Sequence, residues 1–385
     1  MNFHFSSKKN TSKLKSKSII ILSCYNVVNS NSAGEYRIKL YIKSLLLHKE
    51  IEKVYLYYSG NTWVFFKNGL VEVECGLNLK SIQRKEKEVN TLIYPSSNVI
   101  LDIFYLVYLR ILTSRKIFLE LNEVRKYSVT LTEKKNTIVK IIKIILSRIQ
   151  DFIISYYDGI ITISDNISLY YSKRNSNILQ IPILSDIPDC INAPIEYVSG
   201  TPFVITFTGT VNIKKENLDV LIEAISKIAV ANVNLHLYGK IDSYNHNELK
   251  KLIELYQVED RVFYKGAVAQ NQLVDLYKQA HLLILPRGNT KQNRYGFSTK
   301  LAEYMVSGRP TLVTNVSDNG KYIVDQENGF IVEPDSADAF VQKIRYIHHN
   351  YNNICALISH NALQTAKENF DYKLYTDDLA TFLLD

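Results

Sequence analysis

The run Leu282-Leu-Ile-Leu-Pro-Arg287, then Arg294-Tyr-Gly-Phe-Ser-Thr-Lys-Leu-Ala-Glu-Tyr-Met-Val-Ser-Gly-Arg-Pro310, then Thr311-Leu-Val313, spells a strand, a loop, a helix and a second strand. Four apolar residues closed off by Pro286 read as a parallel strand buried on both faces. Helical spacing runs over Thr299–Val306. Ser298 and Thr299 are residue types that cap a helix start, and Gly308 and Pro310 are types that end one. A helix that opens just past a strand presents free N–H groups and a positive dipole end, a natural seat for phosphate. Lys300 adds a cation in that first turn, which is unfavourable for the helix alone and favourable beside a bound anion. One turn on, Glu303 has two oxygens that can accept hydrogen bonds from a ribose diol.

Outward from this stretch the alternation repeats. Further strands are expected at Phe203–Thr208, Asn234–Tyr238, Val262–Tyr264 and Phe330–Val332. Helices are expected at Glu216–Ile228, Glu248–Tyr256, Gln270–Gln279, Ser336–His348 and Asn353–Asn369. The first half shows buried-strand runs at Ser18–Cys24, Val54–Tyr58, Asn90–Tyr94, Lys116–Leu121, Gly159–Ile163 and Ile178–Leu184, with helices such as Tyr36–His48 and Ile138–Ile154 between them. Two such series imply an α/β protein of two doubly wound Rossmann-like domains facing across a cleft. The domains read as 18–190 and 203–370 with a linker at 191–202, inside a segment that carries Pro188, Pro194 and Pro202.

The chain has 385 residues, 46% of them apolar, and a formal net charge of +8. That excludes wholesale disorder and a small disulfide-stapled domain. The charge points to an anionic partner: a nucleotide, a membrane surface or nucleic acid. Cys24, Cys75, Cys190 and Cys355 are far apart, so neither a zinc site nor a disulfide framework is expected, and a reducing cytoplasm fits. Val99–Leu112 is too short for a membrane span and contains Asp102 and Arg110. Residues 1–17 read as a basic disordered tail without the apolar stretch of a secretory signal, so a cytoplasmic location is expected.

The Arg294–Pro310 segment resembles the signature of retaining glycosyltransferases with the GT-B fold, specifically family four, in a branch common among bacterial surface-polysaccharide enzymes. Phe207-Thr-Gly-Thr-Val-Asn-Ile-Lys-Lys215 is similar to that family's strand and glycine loop followed by a phosphate-binding lysine. Leu235-His-Leu-Tyr-Gly239, Val262–Gly266 and Asn328-Gly329-Phe330 continue the likeness, and Ser32-Ala-Gly34-Glu-Tyr-Arg37 and Glu120-Leu-Asn-Glu123 extend it, more weakly, into the first half. The resemblance implies transfer of a sugar from a nucleotide-diphosphate sugar to a saccharide acceptor, lipid-linked in this branch, in capsule, O-antigen or exopolysaccharide assembly. By position, Lys215, Arg287 and Lys300 are the candidate catalytic cations for the diphosphate. Gly209, Thr210, Tyr295, Gly296, Phe297, Ser298, Thr299 and Glu303 are candidates for the donor site, with Glu303 on the ribose. Gly34, Arg37, Asn122 and Glu123 are candidates for the acceptor side. No cofactor or metal is expected, because cations can stabilise a departing diphosphate and the sequence has no Asp-x-Asp motif. In similar enzymes the final helix, here within 371–385, crosses back onto the N-terminal domain.

This sequence departs from that pattern at three points. Tyr295 replaces the first glutamate of the usual pair, Thr210 replaces a phosphate arginine, and Asn122 replaces a histidine. These departures keep open a second reading, a nucleotide-sugar- or polyanion-binding protein that has lost catalysis. Nucleic acid is not expected as a partner, since no binding motif accompanies the charge. His281 at the start of a buried strand reads as packing. Over 133–154, Ile138, Val139, Ile141, Ile142, Ile144, Ile145, Ile149, Phe152 and Ile153 share a broad helical face, opposed by Lys134, Lys135, Lys140, Lys143 and Arg148, with only Glu133 and Asp151 acidic. Such a helix suits either a core face with a solvated basic side or an anionic membrane interface.

Overall fold

The computed structural model describes residues 17–23, 32–58, 61–67, 71–74, 78–85, 89–94, 99–112, 115–128, 137–189, 194–228 and 232–385. The tail before Lys17, Cys24, Cys75, Cys190, residues 191–193 of the linker, and Lys134 and Lys135 lie outside them.

The N-terminal domain holds strands β1 (Lys17–Ser23), β2 (Ile51–Tyr58), β3 (Asn61–Phe66), β4 (Val71–Glu74), β5 (Asn90–Ile93), β6 (Ile117–Leu121), β7 (Gly159–Thr162) and β8 (Ile178–Gln180). Its helices are α1 (Ala33–Leu47), α2 (Leu79–Lys85), α3 (Val99–Leu112), α4 (Arg125–Ser128), α5 (Thr137–Ile153) and α6 (Asp165–Tyr171). The sheet order is β4-β3-β2-β1-β5-β6-β7-β8. β3 and β4 pair antiparallel at one edge, an addition that the sequence reading lacks. Asn61, Thr62, Glu72 and Glu74 break up their apolar runs, so neither shows the signature of a buried parallel strand. Trp63 and Val64 are nonetheless buried.

The C-terminal domain holds β9 (Phe203–Thr208), β10 (Val233–Tyr238), β11 (Val262–Gly266), β12 (Leu282–Leu285), β13 (Thr311–Thr314) and β14 (Phe330–Val332). Its helices are α7 (Leu218–Lys227), α8 (Ser243–Tyr256), α9 (Leu273–Lys278), α10 (Lys291–Tyr295), α11 (Lys300–Met305), α12 (Asn319–Tyr322) and α13 (Ala337–Asn369). Every pairing is parallel, in the order β11-β10-β9-β12-β13-β14. Each sheet therefore reverses direction once, between β1 and β5 and between β9 and β12, and such switch points are where doubly wound sheets bind ligands.

The two late helices expected at 336–348 and 353–369 are one helix, α13. The intervening His349-Asn-Tyr-Asn-Asn353 contains no glycine or proline to stop it. Tyr351 is buried there, and the Asn352 side chain exchanges hydrogen bonds with the backbone of Tyr197. Beyond α13 the chain returns to the first domain, where Ser185 N–H donates to Phe370 O (2.8 Å) and Tyr372 N–H to Ser185 O (3.2 Å). Helix α14 (Thr376–Leu384) then buries Leu379, Ala380 and Leu383 in the same core as Ile21, Leu45 and Leu92. The Phe382 ring lies against Phe118 at 5.1 Å and over Gly159, where a Cβ would come within 2.6 Å of it.

His281 does pack. Its Nδ1 accepts from Val204 N–H at 3.0 Å, and its ring stacks on Phe203. Burial, with Arg309 and His348 adding, pulls its pKa down to about 4. A histidine depressed in the folded state contributes stability above its ordinary value of 6.5, and loses it as the pH falls toward 4. We therefore expect His281→Gln to be less stable than the parent at pH 7 but to lose less further stability between about pH 6.5 and 4, by denaturant unfolding across that range. Leu383→Ala is expected to cost about 2–4 kcal/mol in the same assay, and Leu384→Ala, at a half-buried position, less than about 1 kcal/mol.

Candidate functional site

The carboxyl ends of the two sheets face each other across a cleft of about 610 Å³. On the C-terminal side, β9 ends in Thr208 and turns at Gly209, and β10 turns at Gly239. Both glycines have positive φ, 144° and 143°. A Cβ on Gly239 would fall 1.6 Å from the Gly209 carbonyl oxygen, so the two loops meet at a distance open only to glycine. This brings Gly209 and Thr210 to the cleft wall.

Lys215, Arg287 and Lys300 converge on the same wall from three different loops and helices. Burial and the neighbouring Arg287 lower the pKa of Lys215, with Glu216 and Glu123 opposing. Arg287 Nε lies 3.3 Å from Glu216 Oε2. Lys300 Nζ lies 2.7 Å from Glu303 Oε2, which also accepts from Tyr277 O–H at 3.2 Å. Phe297, Ser298, Thr299 and Glu303 line the cleft too. The Phe297 ring stacks on Tyr322. Contrary to expectation, neither Ser298 nor Thr299 caps α11 in the usual way: the N-cap is Thr299, in αR geometry and with no side-chain hydrogen bond to the helix.

Tyr295 and Gly296 do not line the cleft. Helix α10 is N-capped by Thr290, whose Oγ1 accepts from Asn293 N–H, and its single turn swings Tyr295 toward the N-terminal domain. There its ring stacks on Tyr127 (5.1 Å) and meets Tyr170 edge-on (5.5 Å). Ser164 O–H donates to the Tyr295 carbonyl at 2.9 Å, and Asn166 Nδ2 donates to that of Arg294 at 2.8 Å. This donor-site candidate instead joins the two domains. Its aromatic ring suits that contact, where a glutamate at the same place would put a charge against two phenol rings.

On the N-terminal side, Gly34 opens α1, whose start is closed by a reciprocal capping box between Ser32 and Glu35. Asn122 lines the cleft; its Nδ2 donates to Tyr94 O–H at 2.8 Å, and its Oδ1 is buried without a hydrogen-bond partner. Glu123 is exposed and outside the lining, acting only as a nearby negative charge on Lys215. Arg37 borders the cleft, but its donors are committed. They reach Glu120 Oε1 (2.7 Å), the Tyr41 hydroxyl (2.7 Å) and the carbonyls of Ile181 (2.8 Å) and Pro182 (2.5 Å). Only 3% of it is exposed, so it holds the wall together rather than offering a cation to an acceptor.

The sequence reading missed Lys39, Tyr94, Glu216 and Lys240, which also line the cleft. Tyr94 just past β5 and Lys240 just past the Gly239 turn carried a usable signal, their place at strand carboxyl ends. Lys39 within α1 carried none that sets it apart from a solvated helix lysine.

Residues 202–350 match the family model described as "Glycosyl transferases group 1". Over 180 residues the chain is 25% identical to the capsular polysaccharide biosynthesis glycosyltransferase CapM of Staphylococcus aureus, covering 46% of this chain and 44% of that protein. The chain spans only 22% and 44% of the lengths of the curated relatives it matches. Among solved structures, sucrose-phosphate synthase from Thermosynechococcus elongatus superposes with a TM-score of 0.71 at 12% identity, over 95% of this chain and 98% of that one. HepE of Anabaena in complex with UDP-glucose gives 0.66 at 16% identity, over 95% and 99%. Residues 202–350 are thus similar to glycosyl transferases group 1, and the chain as a whole has the two-domain GT-B fold.

The close approach of the two glycine loops sets a graded expectation. Gly239→Ala should lower unfolding stability by more than about 2 kcal/mol, since backbone must move. Gly200→Ala, at a positive φ of 87° with nothing within 4 Å, should cost only about 1 kcal/mol, measured by the same denaturant titration.

Proposed function

We propose that this protein transfers a sugar from a nucleotide-diphosphate sugar to a saccharide acceptor carried on a lipid, with retention at the anomeric carbon, in surface-polysaccharide assembly at the cytoplasmic face of a membrane. The observation that carries the reading is the convergence of Lys215, Arg287 and Lys300 on one wall of a cleft between two switch points, beside Glu303 and the Gly209 turn. The match to a glycosyltransferase family model and the likeness to a capsular enzyme support it. A structural neighbour solved with UDP-glucose supports the choice of donor class.

The chemistry follows from charge. As the bond from the anomeric carbon to the donor phosphate breaks, negative charge grows on the diphosphate. The three cations and the backbone N–H groups near Thr210 and Thr299 stabilise that charge. Glu303 holds the ribose. The acceptor hydroxyl oxygen bonds to the anomeric carbon on the face the phosphate leaves, and its proton passes to the departing phosphate oxygen. That route needs no protein base, which fits asparagine at position 122. No metal enters this reading, because protein cations supply the charge.

A thermal-shift screen against nucleotide-diphosphate sugars should single out the donor by raised melting temperature. Arg287→Gln and Lys300→Gln are each expected to weaken that donor's binding about tenfold or more, the worth of a charge-assisted hydrogen bond. Unchanged affinity in both variants would overturn the assignment. Donor binding without transfer or hydrolysis in the parent protein would favour a binding protein that has lost catalysis, a reading that Asn122 and Tyr295 keep in play.

A further inference from the structure

Helix α5 does not bury an apolar stripe as a core helix does. Its most buried described residues, Ser147, Gln150 and Asp151, are polar and at most 7% exposed, while Ile144, Leu146 and Ile153 are half-buried. Asp151 accepts hydrogen bonds from the hydroxyls of Tyr170 and Tyr171, both at 2.8 Å. Its outward residues are apolar: Ile141, Ile145 and Ile149 follow one another at helical spacing, and Phe152 continues them at 65% exposure. Helix α3 packs against α5 and repeats the pattern. Its Leu106 and Leu109 are buried, while Ile100, Phe104, Val107 and Ile111, spaced four, three and four residues apart, stand 50–76% exposed. Two adjoining helices thus turn apolar stripes to the outside, more than a scattering of single exposed residues.

The exposed charges described on the two helices themselves have one sign. The only acid on α3, Asp102, is buried against Arg125 at 2.9 Å, and the only acid on α5 is the buried Asp151. The exposed charge described on the helices themselves is cationic, Arg148 and Arg110, of which Arg110 is paired with the neighbouring Asp158 at 2.8 Å, and the chain as a whole carries +8. A second copy docking here would bring like charges together, whereas an anionic bilayer complements them.

We infer that the α3–α5 face is a membrane-docking surface that seats its isoleucine and phenylalanine side chains in the interface of an anionic bilayer, with Arg148 at the level of the lipid phosphates. The surface deepens the lipid-linked acceptor reading, on which its biological use rests. Its physical basis is separate from the donor site.

Co-sedimentation of the full chain with vesicles of phosphatidylcholine, alone or mixed with phosphatidylglycerol, tests it. The parent protein is expected to sediment with the mixed vesicles and much less with phosphatidylcholine alone. Ile111→Gln/Ile145→Gln/Phe152→Gln, at three exposed positions, should weaken that binding more than about tenfold while leaving the melting temperature unchanged. Equal sedimentation of parent and variant overturns the proposal, as does equal binding to both vesicle types. So does a parent that binds no vesicles but elutes as a dimer that the variant splits, an outcome that assigns the face to a second copy. The readout needs no donor, so loss of the glycosyl-transfer reading and loss of this one are told apart.

Discussion

The N-terminal wall of the cleft hangs on one buried ion pair, Arg37 with Glu120, exposed by 3% and 0%. Burial pushes the Glu120 carboxyl upward, and Arg37 and Tyr41 pull it back. Through its other donors the same guanidinium holds the carbonyls of Ile181 and Pro182, where the chain sets out toward the second domain. One side chain therefore fixes α1, the end of β6 and the exit strand together. Gly34 and Lys39 on α1 and Asn122 past β6 take their positions from it. Removing one partner of such a buried pair costs about 3–5 kcal/mol, because the other charge is left without compensation.

The opposite wall is balanced differently. Arg287 and Lys300 each face a carboxylate, Glu216 and Glu303. These pairs keep cations in place where burial would otherwise penalise them. In the proposed reaction an incoming diphosphate exchanges one anionic partner for another rather than meeting bare charge, and Glu303 passes from Lys300 to the ribose. On that proposal the carboxylate partners belong to the site as much as the cations do.

Much of this was legible in the sequence. All six strands of the C-terminal domain follow from short apolar runs, because parallel strands covered on both faces admit few polar residues. Gly209 and Lys215 came from the resemblance to a family's strand, glycine loop and lysine, and Glu303 from its place one turn into a helix that follows a strand; all three line the cleft. What was not legible depends on partners distant in sequence. Whether Arg37 faces the cleft or the core turns on Glu120, 83 positions away. Whether Tyr295 meets sugar or Tyr127 turns on how one turn of helix is oriented. The amphipathic pattern of α5 gave its two faces but not which of them points inward, since that is decided by the hydroxyls of Tyr170 and Tyr171.

The return of the chain at Asp371 has a consequence for how the protein is made and how it can be rearranged. The first domain is finished by α14, which is synthesised after the whole of the second domain, so a nascent N-terminal half waits with a hydrophobic seam open while that domain is made. Nor can the donor-binding half be exchanged for another by a single junction. It is an insertion, bounded by paired crossings at Ser185 and Asp371, and any recombination that keeps both halves intact must cut there twice.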